Sequence, residues 1–204
     1  AKPVFVDTNQ YFCIDEHLIE ASITEKTKGI IPVHLYGHAA NMDKIMQVAT
    51  KHNLFVVEDC AQAILTKWNN SYVGTFGAAG TISFFPGKNL GAYGDAGGII
   101  TEHQELFLEM KKYANHGSLS KHMHEIEGIN SRLDSLQAAI LNVKIKYIET
   151  WISQRNEAAE VYREHLAGID QITLPQTHEL CDHTYHLYVI KTDFRDELAV
   201  FLKD

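Results

Sequence analysis

The fold is decided by residues 29–59, which read GIIPVHLYGHAANMDKIMQVATKHNLFVVED. Two apolar runs in this stretch, at 30–33 and 54–57, predict short buried strands. Between them, Asn41 can cap a helix that carries its apolar residues on one face, namely Met42, Ile45, Met46 and Ala49. A strand, a helix and a second strand in such close succession form a crossover between parallel strands. The stretch therefore predicts an α/β fold.

The next two apolar runs, residues 81–85 and 98–101, predict two more strands. The glycine-rich segment between them, residues 86–97, has no helical pattern. Because a parallel return normally requires a longer crossover, we expect these two strands to be antiparallel. An irregular, glycine-rich loop inside a sheet often carries function, so this loop is a candidate site.

The second half of the chain is mainly helical. Residues 102–114 predict one helix, and residues 133–166 predict a long helical run that bends near Trp151. After it, residues 185–190 predict a last strand and residues 195–202 predict the beginning of another helix.

Composition excludes several classes of protein. The 204 residues include 18 Lys and Arg against 26 Asp and Glu, a net charge of −8, so no nucleic-acid partner is expected. The cysteines, Cys13, Cys60 and Cys181, are scattered and form no Cys-x-x-Cys pair, which fits a reducing compartment. No apolar run reaches the ~18 residues that a membrane span needs. We therefore expect a cytoplasmic protein with no membrane partner.

Lys88 lies in the glycine-rich loop, directly after the aromatic strand end Phe84-Phe85-Pro86. A lysine amine partly shielded from water is a nucleophile toward carbonyl groups and the anchor that pyridoxal phosphate (PLP) uses in proteins. For a single lysine, the ordinary alternative is a surface position in a turn. The loop is not a Walker loop, because Ile82 occupies the place of its first glycine and Asn89 that of its Ser or Thr.

Asp59 follows the predicted strand 54–57, at the edge where open α/β sheets bind their ligands. A carboxylate there can pair with a pyridinium nitrogen and keep it protonated. The alternatives for a single aspartate are a helix cap or a solvated acid. Ser83, near the end of the next strand, adds a hydroxyl suited to phosphate. Together with Lys88 these residues predict a PLP site more strongly than any of them alone.

Five segments carry a resemblance to a known family. They are PVHLYG (32–37), VEDCAQA (57–63), SFFPGKNLGAYGDAGG (83–98), NHG (115–117) and GINSRLDSLQAA (128–139). In this order and spacing they resemble the DegT-type nucleotide-sugar aminotransferases, a family of the aspartate aminotransferase superfamily.

The resemblance implies a particular fold. We expect the large-domain sheet of a fold-type-I PLP-dependent transferase, mostly parallel with one antiparallel strand and with helices on both faces. Long helices and the start of a small α+β domain should follow. The expected division is residues 1–130 for part of the PLP-binding large domain and 131–204 for the connecting helices and the small domain, with both ends truncated.

The resemblance also assigns roles to residues. It implies that Lys88 is the Schiff-base lysine and general base, that Asp59 pairs with the pyridine nitrogen, and that Gln62 contacts the cofactor ring or its hydroxyl. It implies phosphate contacts for Ser83 and, across a homodimer, for Asn130. Weaker candidates for substrate binding are His34, Tyr93 and Arg132. No metal site is expected, because the His-x-His-Glu cluster at 122–125 has no further ligand set.

The activity implied is transamination of a keto sugar carried on a nucleoside diphosphate, with an amino-acid donor, usually glutamate. Such a reaction belongs to amino-sugar biosynthesis for cell-surface polysaccharides or secondary metabolites. One alternative is a PLP-dependent sugar dehydratase, although those relatives carry histidine in place of the lysine. Another is a truncated or non-catalytic module, because the Ser-Gly-Thr phosphate motif of the family is missing from these residues. The chain by itself is expected to be weakly active or inactive.

Overall fold

In the computed structural model, which describes residues 1–203, the chain forms two small sheets and five α-helices. The strands are β1 (Gly29–Ile30), β2 (Phe55–Asp59), β3 (Lys67–Trp68), β4 (Ser71–Tyr72), β5 (Ala79–Ser83), β6 (Gly97–Ile100) and β7 (Cys181–Asp182). The helices are α1 (Met42–Lys51), α2 (Gln104–Ala114), α3 (Ser135–Lys144), α4 (Ile148–Leu166) and α5 (Arg195–Phe201). None of these helices is long and apolar enough to cross a membrane.

The larger sheet has the strand order β1-β2-β5-β6. The pairs β1–β2 and β2–β5 are parallel, and β5–β6 is antiparallel, with Gly80 opposite Ile100 and Ser83 opposite Gly97. This confirms both the parallel crossover predicted from residues 29–59 and the antiparallel return after the glycine-rich loop. The sheet is mostly parallel with one antiparallel strand, as expected.

Helix α1 forms where the apolar spacing predicts it. The side chain of Asn41 caps it by accepting a hydrogen bond from the backbone N–H of Lys44 at 3.2 Å. Met42, Ile45 and Ala49 are buried in the main core together with Val56 of β2. Burial of each large apolar side chain contributes about 1.5–3 kcal/mol, which holds the crossover helix against the sheet.

The smaller sheet, ordered β4-β3-β7, has no counterpart in the sequence prediction. Its β3–β4 hairpin turns through Asn69 and Asn70, whose φ angles of 47° and 66° lie in the left-handed region. Two such residues in a two-residue loop are typical of a type I′ turn. The Asn-Asn pair between Trp68 and Ser71 was therefore a usable turn indicator.

Two sequence predictions are wrong. The long helical run is interrupted by a 3-10 turn over Ile145–Tyr147, between α3 and α4, whereas Trp151, where a bend was expected, lies inside α4 and packs on the cluster that contains Leu90 and Leu141. Residues 185–190 form no strand, because Tyr185 has φ 40° and the backbone N–H of Leu187 bonds instead to the carbonyl of Tyr36. The expected boundary at residue 130 falls in the irregular segment between α2 and α3, and the division into domains stays a prediction.

Three histidines come together beside the smaller sheet. The ring of His38 stacks on Tyr11 with centroids 4.8 Å apart and meets the edge of His183 at 5.3 Å. His38 Nε2 also accepts a hydrogen bond from the backbone N–H of His178 at 3.0 Å. Burial lowers the pKa of His38 to about 4 and that of His183 to about 3, so both rings are neutral at physiological pH.

The cluster of His38, His178 and His183 predicts that acid destabilises the folded protein. Unfolded histidines titrate near pH 6.5, so below that pH the unfolded chain binds more protons than the folded one. We expect the free energy of unfolding to fall as the pH drops from 6.5 toward 4, by about 3 kcal/mol from His38 alone. Urea unfolding at a series of pH values measures this loss. The exposed His17→Gln variant is the control and should follow the wild-type curve, whereas a flat curve across this interval would contradict the prediction.

Candidate active site

The candidate site lies at the carboxyl edge of the larger sheet, where β2 ends at Asp59 and β5 ends at Ser83. These strands are parallel neighbours, with Asp59 in register with Thr81. Ser83 is therefore two residues further along its strand than Asp59, an offset of roughly 7 Å along the strand direction. The structure thus brings together the carboxylate and the hydroxyl that the sequence analysis selected.

Asp59 is half-buried, and its Oδ1 accepts a hydrogen bond from the backbone N–H of Ala61 at 2.9 Å. On the other side, the backbone N–H of Asp59 donates to the carbonyl of Pro32 at 2.9 Å. The backbone carbonyl of Asp59 accepts a hydrogen bond from the N–H of His34 at 3.0 Å, so the backbone of Asp59 is fixed. Within residues 1–203, no hydrogen bond reaches Oδ2. The carboxylate therefore has a fixed position and one oxygen available to a ligand.

Gln62 lies in the turn that follows β2. Its Oε1 accepts a hydrogen bond from the backbone N–H of Tyr36 at 2.7 Å, so the Leu35–Gly37 turn and the segment after β2 are joined. Tyr36 has φ 60° and ψ 5°, an uncommon conformation for a tyrosine. The amide nitrogen of Gln62 remains a donor for a ligand.

Lys88 is half-buried in the loop that joins β5 to β6. The loop turns back at once, since Lys88 N–H donates to the carbonyl of Phe85 at 2.9 Å and Ser83 Oγ accepts from Phe85 N–H at 3.2 Å. Gly91 closes the turn, and a Cβ at this position would lie 2.3 Å from the carbonyl oxygen of Pro86. The lysine therefore sits on a tight turn directly beyond Ser83.

His34, a candidate for substrate binding in the sequence analysis, lies in the protein interior. It is fully buried, its Nδ1 accepts from the backbone N–H of Ala40 at 3.0 Å, and its Nε2 lies 3.1 Å from Glu58 Oε2. Because Nδ1 is an acceptor, Nε2 carries the proton and donates to Glu58. Both ring nitrogens of His34 are thus occupied within the protein.

Glu58 is also fully buried and gathers hydrogen bonds from the turn after β4. Oε2 accepts from Gly74 N–H at 2.6 Å, and Oε1 accepts from the N–H groups of Phe76 and Gly77 at 2.8 Å each. Burial by itself raises the pKa of Glu58, but the hydrogen bonds from His34, Gly74 and Gly77 outweigh it and hold the pKa below its usual range. The group His34, Glu58 and Cys60 could hold a metal by proximity, but these hydrogen bonds already use the histidine and the carboxylate.

The other candidates lie on exposed segments. Tyr93 is 76% exposed, and its backbone N–H donates to Gln137 Oε1 at 2.8 Å. Asn130 Oδ1 accepts from Arg132 Nε at 3.0 Å, and both side chains are exposed. In the described chain, neither Asn130 nor Arg132 hydrogen-bonds to Asp59, Ser83 or Lys88.

Sequence reasoning missed the segment that packs against Lys88 from far along the chain. Asn89 is buried and bonds to Thr184 and His186, about ninety-five residues later. The charge of Lys88 also lowers the pKa of His186, after the larger effect of burial. No local pattern in the sequence indicates a contact over such a separation.

A mostly parallel sheet with one antiparallel strand and packed helices is the fold of the fold-type-I PLP-dependent transferases, and the chain has this fold. The sequence model of the DegT/DnrJ/EryC1/StrS aminotransferase family matches residues 1–204, and the chain belongs to this family.

Three similar proteins illustrate the membership. A pleiotropic regulatory protein of Geobacillus stearothermophilus is 49% identical over 207 residues, which cover 100% of this chain and 56% of the relative. The UDP-N-acetyl-3-dehydro-alpha-D-glucosamine 3-aminotransferase of Acidithiobacillus ferrooxidans is 44% identical over 203 residues, 99% of this chain and 55% of the relative. The crystal structure of DesV from S. venezuelae superposes with a TM-score of 0.95 at 39% identity, over 98% of this chain and 54% of that one. The chain thus spans about half the length of the relatives it matches.

Proposed function

We propose that the protein is a PLP-dependent aminotransferase that acts on a nucleotide-linked keto sugar with an amino-acid donor, most simply glutamate. The observation that carries the proposal is that Asp59 and Ser83 lie at the ends of adjacent parallel strands, with Lys88 in the loop that follows, in a chain of an aminotransferase family. The names of similar proteins, which include transaminases of dTDP-linked and UDP-linked sugars, support the substrate class.

The residues present fit PLP by the chemistry of their donors and acceptors. The free oxygen of Asp59 would pair with the pyridine N–H, Ser83 Oγ would donate to the phosphate, and the amide of Gln62 would contact the ring or its hydroxyl. When bound, PLP supplies an electron sink for the charge left after loss of a proton from carbon. Lys88 would hold the cofactor covalently between turnovers and move that proton through its Nζ.

We also propose that the protein is a cytoplasmic homodimer. The segment 115–134, which carries Asn130 and Arg132, lies outside the core and exposes apolar side chains, an arrangement suited to a protein partner. The exposed apolar residues are Leu119, Met123, Ile126, Ile129 and Leu133. A second copy would cover them and bring Asn130 to the phosphate side of the neighbouring site. The three free, buried cysteines support a reducing compartment.

The experiment that tests the proposal uses the intact protein. It is loaded with PLP, reduced with borohydride and digested, and we expect the cofactor on the peptide that contains Lys88. The loaded protein should also convert glutamate to 2-oxoglutarate. Attachment at Lys88 without glutamate turnover would favour another PLP-dependent sugar enzyme, and absence of attachment at Lys88 would favour a non-catalytic module. Either result would contradict the proposed transamination.

A further inference from the structure

Asn89, the residue after Lys88, is buried and uses both ends of its side-chain amide. Nδ2 lies 3.1 Å from the carbonyl oxygen of Thr184, and Oδ1 lies 3.3 Å from His186 Nδ1. Because a carbonyl oxygen can only accept, Nδ2 must face Thr184 and Oδ1 must face His186. The histidine therefore donates from Nδ1, and this bond fixes its tautomer.

The segment that receives Asn89 is itself held by the Leu35–Gly37 turn. Thr184 N–H donates to the carbonyl of Gly37 at 3.0 Å, and Thr66 Oγ1 donates to the same carbonyl at 3.0 Å. The hydroxyl of Thr184 then donates to Thr66 Oγ1 at 2.8 Å. The approach is close enough to require glycine, since Gly37 has φ 97° and a Cβ there would lie 2.9 Å from the backbone nitrogen of His186.

Helix α4 holds the segment from another direction. Arg155 Nη1 donates to the carbonyls of Tyr185 at 3.1 Å and His186 at 3.3 Å. The charges of Lys88 and Arg155 add to the larger effect of burial in lowering the pKa of His186. The ring is accordingly neutral at physiological pH and keeps the Nδ1–H that Asn89 requires.

The same segment reaches the opposite side of the candidate site. Leu187 N–H donates to the carbonyl of Tyr36 at 3.3 Å, and Tyr36 N–H donates to Gln62 Oε1 at 2.7 Å. One stretch of chain, residues 184–187, thus connects the Leu35–Gly37 turn, which is hydrogen-bonded to Gln62, to the neighbour of Lys88. Movement of this stretch would displace both sides of the site together.

From this geometry we propose that Asn89 and His186 are positioning residues for Lys88, with Asn89 fixing the loop through His186 and Thr184 so that the lysine amine meets the cofactor carbonyl. The proposal rests on the proposed function, because it presumes that Lys88 is the residue that attaches PLP. Under this proposal the segment around His186 positions the active site, although it contributes no group to the chemistry.

The test measures the rate at which Lys88 captures PLP in the intact protein, by borohydride trapping at timed intervals and mass analysis of the Lys88 peptide. We expect Asn89→Ala and His186→Leu to slow capture by roughly ten- to a hundredfold, since small misplacements of a reacting group have effects of this size. His186→Asn should recover most of the rate, because its amide nitrogen can replace Nδ1–H. Asn142→Ala, at an exposed position on α3, is the matched control and should behave as wild type.

A second measurement separates positioning from general damage. Pyridoxine 5′-phosphate has no aldehyde and cannot attach to lysine, so its dissociation constant reports the noncovalent site alone. We expect this constant to change less than about twofold in both slow variants, well below the ten- to hundredfold change in capture rate. Parallel losses of affinity and capture rate would indicate a merely structural role and would overturn the inference. So would an Asn89→Ala protein that captures PLP at the wild-type rate.

The failure of the proposed function is distinguishable from these outcomes. If the wild-type protein attaches no PLP at Lys88, the proposed function is wrong and this inference fails with it. If the wild type attaches PLP and the variants attach it equally fast, only the positioning role is wrong. NMR of the histidine rings in the cofactor-free protein gives an independent readout, since the Nδ1–H form of His186 should predominate in wild type and lose this preference in Asn89→Ala.

Discussion

Replacing Lys88 with alanine is expected to abolish covalent attachment of PLP and to reduce transamination by roughly a thousandfold or more. The lysine is the amine placed directly beyond Ser83 on the tight turn after β5. Its loss would remove both the covalent anchor and the group that moves the proton. Neighbouring side chains offer no substitute amine on this turn, since the residues on either side are Gly87 and Asn89.

Two matched variants make this result interpretable. Lys88→Arg keeps the positive charge but not a nucleophilic amine, and it should be as inactive as the alanine variant. Lys146→Ala removes an exposed lysine from the 3-10 turn between α3 and α4 and should leave both attachment and turnover unchanged. Glutamate-dependent formation of 2-oxoglutarate is the measurement. A Lys88→Ala protein that retains activity within about tenfold of wild type would contradict the assignment.

The parts of the site that the sequence predicts are those governed by local pattern. Residues 30–33 and 54–57 alternate with an amphipathic helix, so the crossover and the position of Asp59 at the end of a strand follow from spacing alone. The absence of a helical pattern between residues 85 and 98 likewise predicts the antiparallel return whose loop carries Lys88. These inferences need no knowledge of distant contacts, and the strand pairings confirm them.

The parts that escaped prediction depend on contacts between distant residues. Residues 185–190 look like a strand because they are apolar and aromatic. In the structure, however, Leu187 N–H donates to the carbonyl of Tyr36, about 150 residues earlier, and the carbonyls of Tyr185 and His186 accept from Arg155 and not from a sheet edge. This tertiary contact overrides local propensity. The hydrogen bonds of Asn89 could not be predicted from the sequence for the same reason, because their partners are distant along the chain.

His34 shows a second kind of limit. A histidine before a turn near a strand end suggests a ligand, and nothing in its neighbourhood in the sequence indicates that it is fully buried. Its partner Glu58 lies in an otherwise apolar strand, where alternation directs the side chains of Glu58 and Asp59 to opposite faces. Glu58 thus forms hydrogen bonds in the interior, whereas Asp59 belongs to the candidate site. Sequence spacing alone does not indicate which of the two adjacent acids has which position.

Replacing Glu58 with glutamine is therefore expected to lower the free energy of unfolding by about 3 kcal/mol, the magnitude typical of removing a buried, hydrogen-bonded carboxylate and leaving a buried donor without an acceptor. The carboxylate oxygens accept from four donors, namely His34 Nε2 and the backbone N–H groups of Gly74, Phe76 and Gly77. Glutamine has the same size but offers one oxygen and one NH₂ group. Whichever way the amide turns, its NH₂ faces at least one N–H donor, which is left buried without an acceptor.

Urea unfolding at neutral pH measures this loss, with Glu25→Gln as the control because Glu25 is an exposed glutamate outside the helices and strands. The control should remain within about 0.5 kcal/mol of wild type. At neutral pH Glu58 is ionised, since its pKa lies below the usual range, so the wild-type protein carries the full contribution of the charged form. As the pH falls through the pKa of Glu58 this contribution is lost, and the stabilities of wild type and Glu58→Gln should converge. A difference that is small at neutral pH, or that persists unchanged into acid, would show that the buried carboxylate does not hold the turn after β4 in place.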